Sequence, residues 1–139
     1  YGRNPRPGNY NSNPYTKDPK GLLLDFTNNV LYNWGGGHAG YNADSISVTH
    51  LNYVNNYLIE GKDSKPTGIA YSTGSPYNKS YFHGNYYNDQ LPNNQWNLVK
   101  FKSIWTEKNI QDYKQTKPFD NSAKDKNPPA ITNETIRFF

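Results

Sequence analysis

Three stretches of the chain repeat one order of residue types. Residues 26–33 read FTNNVLYN, residues 53–60 read YVNNYLIE and residues 82–89 read FHGNYYND. Each runs from an aromatic residue through a spacer and a small or amide residue to an asparagine, and then to apolar and aromatic residues. The shared asparagines are Asn29, Asn56 and Asn85, separated by 27 and 29 residues. Repeated order at nearly constant spacing requires each copy to form the same structural unit. Unequal periods do not suit a tight array of helical repeats; they suit coils that carry loops of different length. Asparagine at a sharp bend tolerates left-handed backbone better than other non-glycine residues, and Gly84 beside Asn85 serves the same bend. Asparagines stacked about 4.8 Å apart would hydrogen-bond through their amides as a ladder. The expected fold is an all-β solenoid; antiparallel hairpins with Asn turns are the plainer alternative.

Short β-prone runs surround the asparagines, at residues 22–26, 30–34, 46–48, 51–54, 57–59, 69–72 and 81–83. The Gly-rich WGGGHAGYNAD, the polar EGKDSKPTG and the turn cluster STGSPYNK read as loops. NQWNLVKFKSIW reads as one or two further strands. A short helix is expected from Thr106-Glu107 towards Gln115, with Ile110 and Tyr113 on one face and Pro118 ending it. Residues 119–139 read as an extended tail.

Composition fits a repetitive β structure. Hydrophobic residues make up only 33%, thirteen tyrosines supply much of that, and a net charge of +4 is too modest to enforce disorder. At 139 residues one domain is expected. Without cysteine there is no disulfide and no thiolate metal site. No apolar run approaches ~18 residues, so no membrane-spanning helix is expected. The pI of about 9.1 suits an acidic partner such as nucleic acid or a polyuronic acid. Nucleic acid ranks last, because the lysines are spread out and no binding motif is present. The chain lacks Met and begins at Tyr1, so upstream sequence is expected to have been removed.

The opening GRNPRPG holds two arginines on stiff backbone: Pro5 and Pro7 fix φ and push Asn4 and Arg6 towards extended geometry. A guanidinium so held suits bidentate recognition of a carboxylate, although a solvated surface or an ion pair is the plainer role. The three histidines, His38, His50 and His83, have no metal-ligand spacing. Asp25, Asp44, Glu60, Asp63 and Asp89 are scattered, without the oxygen spacing of a calcium loop, and read as solvated or turn-capping groups. Trp34, Trp96 and Trp105 offer rings for sugars but more simply stack within the solenoid. Asn78-Lys79-Ser80 and Asn133-Glu134-Thr135 match the glycosylation acceptor pattern.

GRNPR followed by GLLLDFTNNVLYNWGG and YVNNYLIEG resembles the later part of bacterial pectate lyases of polysaccharide lyase family one. The resemblance covers roughly residues 1–118, with 119–139 as tail. It implies a right-handed parallel β-helix, here the C-terminal turns of a catalytic domain, with irregular loops. The family carries an Arg-x-Pro-x-x-Arg type motif. Arg3-Asn4-Pro5-Arg6 matches its beginning, and Gly8 stands where its final Arg would be. The resemblance implies calcium-assisted β-elimination of polygalacturonate, with Arg3 as the base and Arg6 as a clamp on a substrate carboxylate. Arginine has a pKa above ~12, so its neutral form is scarce at pH 7 and an alkaline optimum is implied. The family's calcium ligands precede the Arg motif and are expected upstream of Tyr1, which makes an isolated chain nearly inactive. Secretion is implied by the resemblance alone. Two alternatives stay open: a solenoid that self-associates into a fibre through exposed ends, and a non-catalytic binder whose Arg3, Arg6 and Lys17 or Lys20 grip acidic polysaccharide.

Overall fold

The computed structural model describes residues 3–7, 21–42 and 44–120. Among these residues nine short strands run in chain order: β1 (Leu22–Thr27), β2 (Val30–Tyr32), β3 (Gly40–Tyr41), β4 (Thr49–Val54), β5 (Tyr57–Ile59), β6 (Tyr71–Ser72), β7 (Lys79–His83), β8 (Tyr86–Tyr87) and β9 (Val99–Lys100). They form three parallel sheets, β1–β4–β7, β2–β5–β8 and β3–β6–β9. Each coil contributes one strand to each sheet, so the chain is part of a parallel β-helix, and the hairpin alternative falls.

Register follows the sequence repeat. Phe26 pairs with Tyr53 and Tyr53 with Phe82 in the first sheet; Leu31 pairs with Leu58 and Leu58 with Tyr87 in the second. Like residues therefore stack inside. The Phe26 and Tyr53 rings lie 5.2 Å apart, Tyr53 and Phe82 4.7 Å, and Phe82 and Trp96 5.5 Å. Offset aromatic contacts at such distances add to the burial of large apolar surface, which is how a chain poor in aliphatic residues builds a core.

The bend between the first and second sheets divides two tasks between neighbours. The left-handed backbone falls on Asn28 (φ 58), Asn55 (φ 53) and Gly84 (φ 66), not on Asn29, Asn56 and Asn85 as the repeat suggested. The latter form the ladder. Asn29 donates its backbone N–H and its side-chain amide to Asn56 Oδ1, both at 3.0 Å. Asn56 does the same to Asn85 Oδ1, at 3.0 and 3.1 Å. Asn56 and Asn85 are fully buried, so the ladder also satisfies the polar groups that the bend removes from water.

A 3-10 turn, Gln95–Leu98, and one α-helix, α1 (Glu107–Tyr113), close the end beyond β7. Thr106 caps α1 through a reciprocal capping box with Asn109. The helix ends at Tyr113, before Pro118, because Lys114 turns extended and pairs alongside Ser80 on the free edge of β7. Tyr113 is fully buried, and Ser80 Oγ donates to its hydroxyl at 2.8 Å. The following segment crosses the outer face of the first sheet. Asn52 donates to Phe119 O at 3.0 Å and accepts from Phe119 N at 2.8 Å, and the Phe119 ring stacks on His50 at 4.7 Å.

Three expected strands differ: that at 69–72 shortens to β6, while β3, inside the expected Gly-rich loop, and β8 were not expected. Residues 46–48 are not a strand: Asp44 Oδ1 accepts the N–H groups of Ile46 and Ser47 at 3.1 and 2.6 Å and so holds a turn. β2 ends at Tyr32, because Asn33 (φ 52) turns the chain and sends Trp34 inward. Residues 121–139, including Asn133 and most of the expected tail, lie outside the described residues.

Candidate functional site: a cationic and aromatic face beside the arginine segment

Residues 3–7 lie along β3, where the previous rung of the third sheet would stand. Asn4 N–H donates to Ala39 O at 2.9 Å, Tyr41 N–H to Pro5 O at 3.0 Å, and the Asn42 side chain to Pro7 O at 2.9 Å. The Asn4–Pro5 peptide is cis. The close approach depends on Gly40: a Cβ there would lie 2.7 Å from Asn4 O and 2.8 Å from Pro5 O.

Arg3 and Arg6 are both exposed. The Arg6 guanidinium carbon sits 5.2 Å from the centroid of the Tyr41 ring, a cation–π contact that gives this long side chain a preferred position. His38 meets the same ring edge-on at 5.4 Å. Along the third sheet Gly40, Tyr71 and Val99 are in register and buried, so their neighbours Tyr41, Ser72 and Lys100 alternate to the outer face. Lys100 is exposed there. Burial, and next the Lys100 charge, hold the His38 imidazole below its ordinary pKa. Arg6, Tyr41, His38 and Lys100 thus share one surface.

Among the described residues, the sequence singled out Arg3 and Arg6 as candidate site residues. Tyr41 and Lys100 are 59 residues apart and fall in one column through coil register, for which no local motif exists. Lys17 and Lys20 lie outside the described residues. His50 is elsewhere, under Phe119, its pKa lowered by burial and then by Lys79. His83 is exposed and stacks with Tyr81 at 5.9 Å. Trp34 and Trp105 are buried and Trp96 belongs to the core stack, so these indoles serve packing. Asn78 is buried and accepts the Thr49 N–H at 2.8 Å, which removes it as a glycosylation acceptor in the folded chain.

The carboxylates stand apart. Asp25 accepts from Asn52 at 2.7 Å, Asp44 caps its own turn, Glu60 binds the Tyr87 hydroxyl and Asn88, and Asp63 binds Asn33. Among the described residues no three His, Cys, Asp or Glu side chains gather as a metal group. A cleft of about 400 Å³ on the first sheet, lined by Asp25, Thr27, Asn52, Val54, Phe119 and Asp120, is acidic and suits a polyuronate poorly.

No family model matches the chain, and no solved structure gives a significant match. Curated relatives do match. A probable pectate lyase C of Aspergillus terreus is 41% identical over 73 residues, covering 52% of this chain and 17% of the relative. The probable pectate lyase C of Aspergillus fumigatus is 38% identical over 73 residues, with the same coverage. That of Emericella nidulans is 40% identical over 73 residues, covering 52% of this chain and 16% of the relative. The matched segment therefore spans about a sixth of the relatives' length. Over that segment, just over half of its own length, this chain is similar to part of these probable pectate lyases.

Proposed function

We propose that this chain is the C-terminal portion of a secreted pectate-lyase-like β-helix acting on polygalacturonate, in which Arg3 is the base and Arg6 holds a substrate carboxylate. The observation that carries this reading is the docking of residues 3–7 on β3, which sets Arg6 over Tyr41 on an exposed face. Each galacturonate carries a carboxylate next to its C5 proton. β-Elimination takes that proton, breaks the C4–oxygen bond and leaves a C4–C5 double bond; the departing oxygen gains a proton. A guanidinium beside the carboxylate stabilises the charge that develops there, and a base must lie within hydrogen-bond reach of C5–H.

Calcium would add to that stabilisation, but the described carboxylates do not gather into a site for it. Its ligands would have to come from outside the described residues. A non-catalytic grip on acidic polysaccharide is the second reading, favoured by the dispersed carboxylates.

The test pairs retention on immobilised polygalacturonate with the absorbance of unsaturated product. The 139-residue chain should be retained at low salt and released as salt rises, and Arg6→Ala should weaken retention roughly tenfold. Product should stay near background for this chain alone. In a longer protein that contains this segment, Arg3→Ala should lower product formation by roughly 10²-fold or more. Absence of retention removes the uronate reading. Retention with no effect of Arg3→Ala on the longer protein leaves only the binding reading.

A further inference from the structure

We infer that Lys100 is a further uronate-binding residue of the arginine face, holding a second carboxylate several sugar units away from the one held by Arg6; this rests on the polyuronate reading above.

Position comes first. Tyr41 pairs with Ser72 and Ser72 with Lys100, so Lys100 stands two coils beyond Tyr41 on the same outward column. Arg6 lies one rung to the other side, because Pro5 O takes the Tyr41 N–H. Three rungs at about 4.8 Å put the two cationic backbone positions about 14 Å apart. That separation is too wide for two groups of one sugar and suits separate carboxylates along a polymer. Tyr41 and Ser72, which lie between them, are uncharged. An aromatic ring flanked by two cations offers a sugar a stacking face and its carboxylates a grip at either side.

A second observation is independent of register. The Lys100 charge helps lower the His38 pKa, and His38 touches the Tyr41 ring that carries Arg6. This agrees with the register, which sets Lys100 on the outward column of the third sheet. Lysine suits an outlying site of this kind. It is a mobile point charge that follows a carboxylate through several sugar orientations, whereas arginine demands planar geometry.

The experiment measures binding of the 139-residue chain to digalacturonate and to long polygalacturonate at several salt concentrations. Lys100→Gln should weaken polymer binding roughly fivefold to tenfold, make it less salt-dependent and leave digalacturonate binding unchanged. Lys100→Arg should restore most of the loss. Lys108→Gln, which removes an exposed charge paired with Asp112 on α1, should change neither. Thermal unfolding should not distinguish the Lys100 variants from the parent, since the side chain is exposed. Unchanged polymer affinity and salt dependence in Lys100→Gln would overturn the inference and leave the uronate reading standing. Failure of the parent chain to bind either ligand would overturn both.

Discussion

Gln95 stands to Asn85 as Asn85 stands to Asn56. Gln95 Oε1 accepts the Asn85 backbone N–H at 2.9 Å and its side-chain amide at 3.0 Å, the same two-pronged contact that Asn85 Oδ1 gives Asn56 at 3.0 and 3.1 Å. The difference is where the next donor points. Asn56 and Asn85 send a second amide hydrogen to Phe26 O and Tyr53 O, on the preceding coil. Gln95 Nε2 goes instead to Asn85 O and Pro92 O, at 3.1 and 3.2 Å. Gln95 thus terminates the asparagine column, with the 3-10 turn that carries it packed over the last rung.

The ladder should contribute unequally along its length. Asn56→Ala removes the acceptor of two Asn29 donors and the donor to Phe26 O inside the stack, and should destabilise the chain by about 3–5 kcal/mol. Gln95→Ala acts at the half-buried end, where water can replace the lost partner, and should cost only about 1–2 kcal/mol. Urea unfolding of both variants checks the order. Equal losses would mean that the central rung has no special weight.

Much of this column is visible before folding, and the reason is chemical. A corner that needs both a left-handed residue and a stacking amide shows itself as Asn-Asn, Asn-Asn and Gly-Asn, two letters for two tasks. Which letter did which was not visible, because Asn serves either. Gln95 was hidden because it lies outside the repeat, and its longer side chain reaches the rung from a different backbone path. The run Ile46–Val48 looked like a strand by composition, but the Asp44 carboxylate takes two of the N–H groups a strand there would use. At the candidate site, Arg6 stands out in the sequence because Pro5 and Pro7 flank it, with Arg3 two residues before Pro5. That Tyr41 and Lys100 share a column, with Ser72 between them, follows only once the coil lengths, including every loop, are known.

Alkaline pH should unfold the chain through its buried tyrosines. Burial pushes the Tyr113 hydroxyl from its ordinary pKa of 10.0 up to about 12, against hydrogen bonds from Ser80 and Thr73 that act the other way, and burial raises Tyr53 and Tyr87 as well. Above pH 10 the unfolded chain loses these protons while the folded chain keeps them. Stability from this source is therefore full below pH 10 and declines from there through pH 12. Tyr113→Phe should make the alkaline decline shallower. An identical pH profile for the two proteins counts against the burial account. The same decline sets an upper limit on any alkaline optimum of a reaction that uses Arg3.

At the acid end the sign reverses. Burial holds His38 and His50 below their ordinary pKa of 6.5, with Lys100 and Lys79 respectively adding to the shift. The unfolded chain binds these protons first as pH falls. The contribution is complete above about pH 6.5 and is lost as pH drops through the lowered values. His50→Gln should flatten part of this acid limb, and it should also loosen residue Phe119, which stacks on the imidazole. Chemical denaturation between pH 4 and pH 8 measures the slope; an unaltered limb in His50→Gln rules this residue out as its source.

The segment after α1 should be releasable without unwinding the coils. Asn52 is buried on the outer face of β4 and holds Phe119 through both its N–H and its carbonyl, while also donating to Asp25. Asn52→Ala removes all three contacts but leaves the inward stack of Leu51 and Tyr53 in place. Proteolysis at Lys117 should then speed up several-fold while the main unfolding transition shifts by only about 1–2 kcal/mol. A cleavage rate equal to that of the parent would show that other contacts hold the segment.

Gly40 should link fold to function more selectively than the other described glycines. Its φ does not lie in the left-handed region, so alanine strains nothing in the strand itself, but the new Cβ would meet the backbone oxygens of Asn4 and Pro5 at 2.7 and 2.8 Å. Those atoms belong to rigid proline-flanked backbone and must move away, carrying Arg3 and Arg6 with them. Gly40→Ala should therefore lower polygalacturonate binding roughly tenfold for a stability loss of about 1–2 kcal/mol. Gly68→Ala is the matched contrast. Gly68 has φ +72 and open space around its Cβ position, so alanine there strains the backbone and should cost about 1 kcal/mol without touching the arginine segment. If the two variants lose binding equally, the effect is general destabilisation. If Gly40→Ala binds like the parent, the contact between β3 and residues 3–7 does not position the arginines.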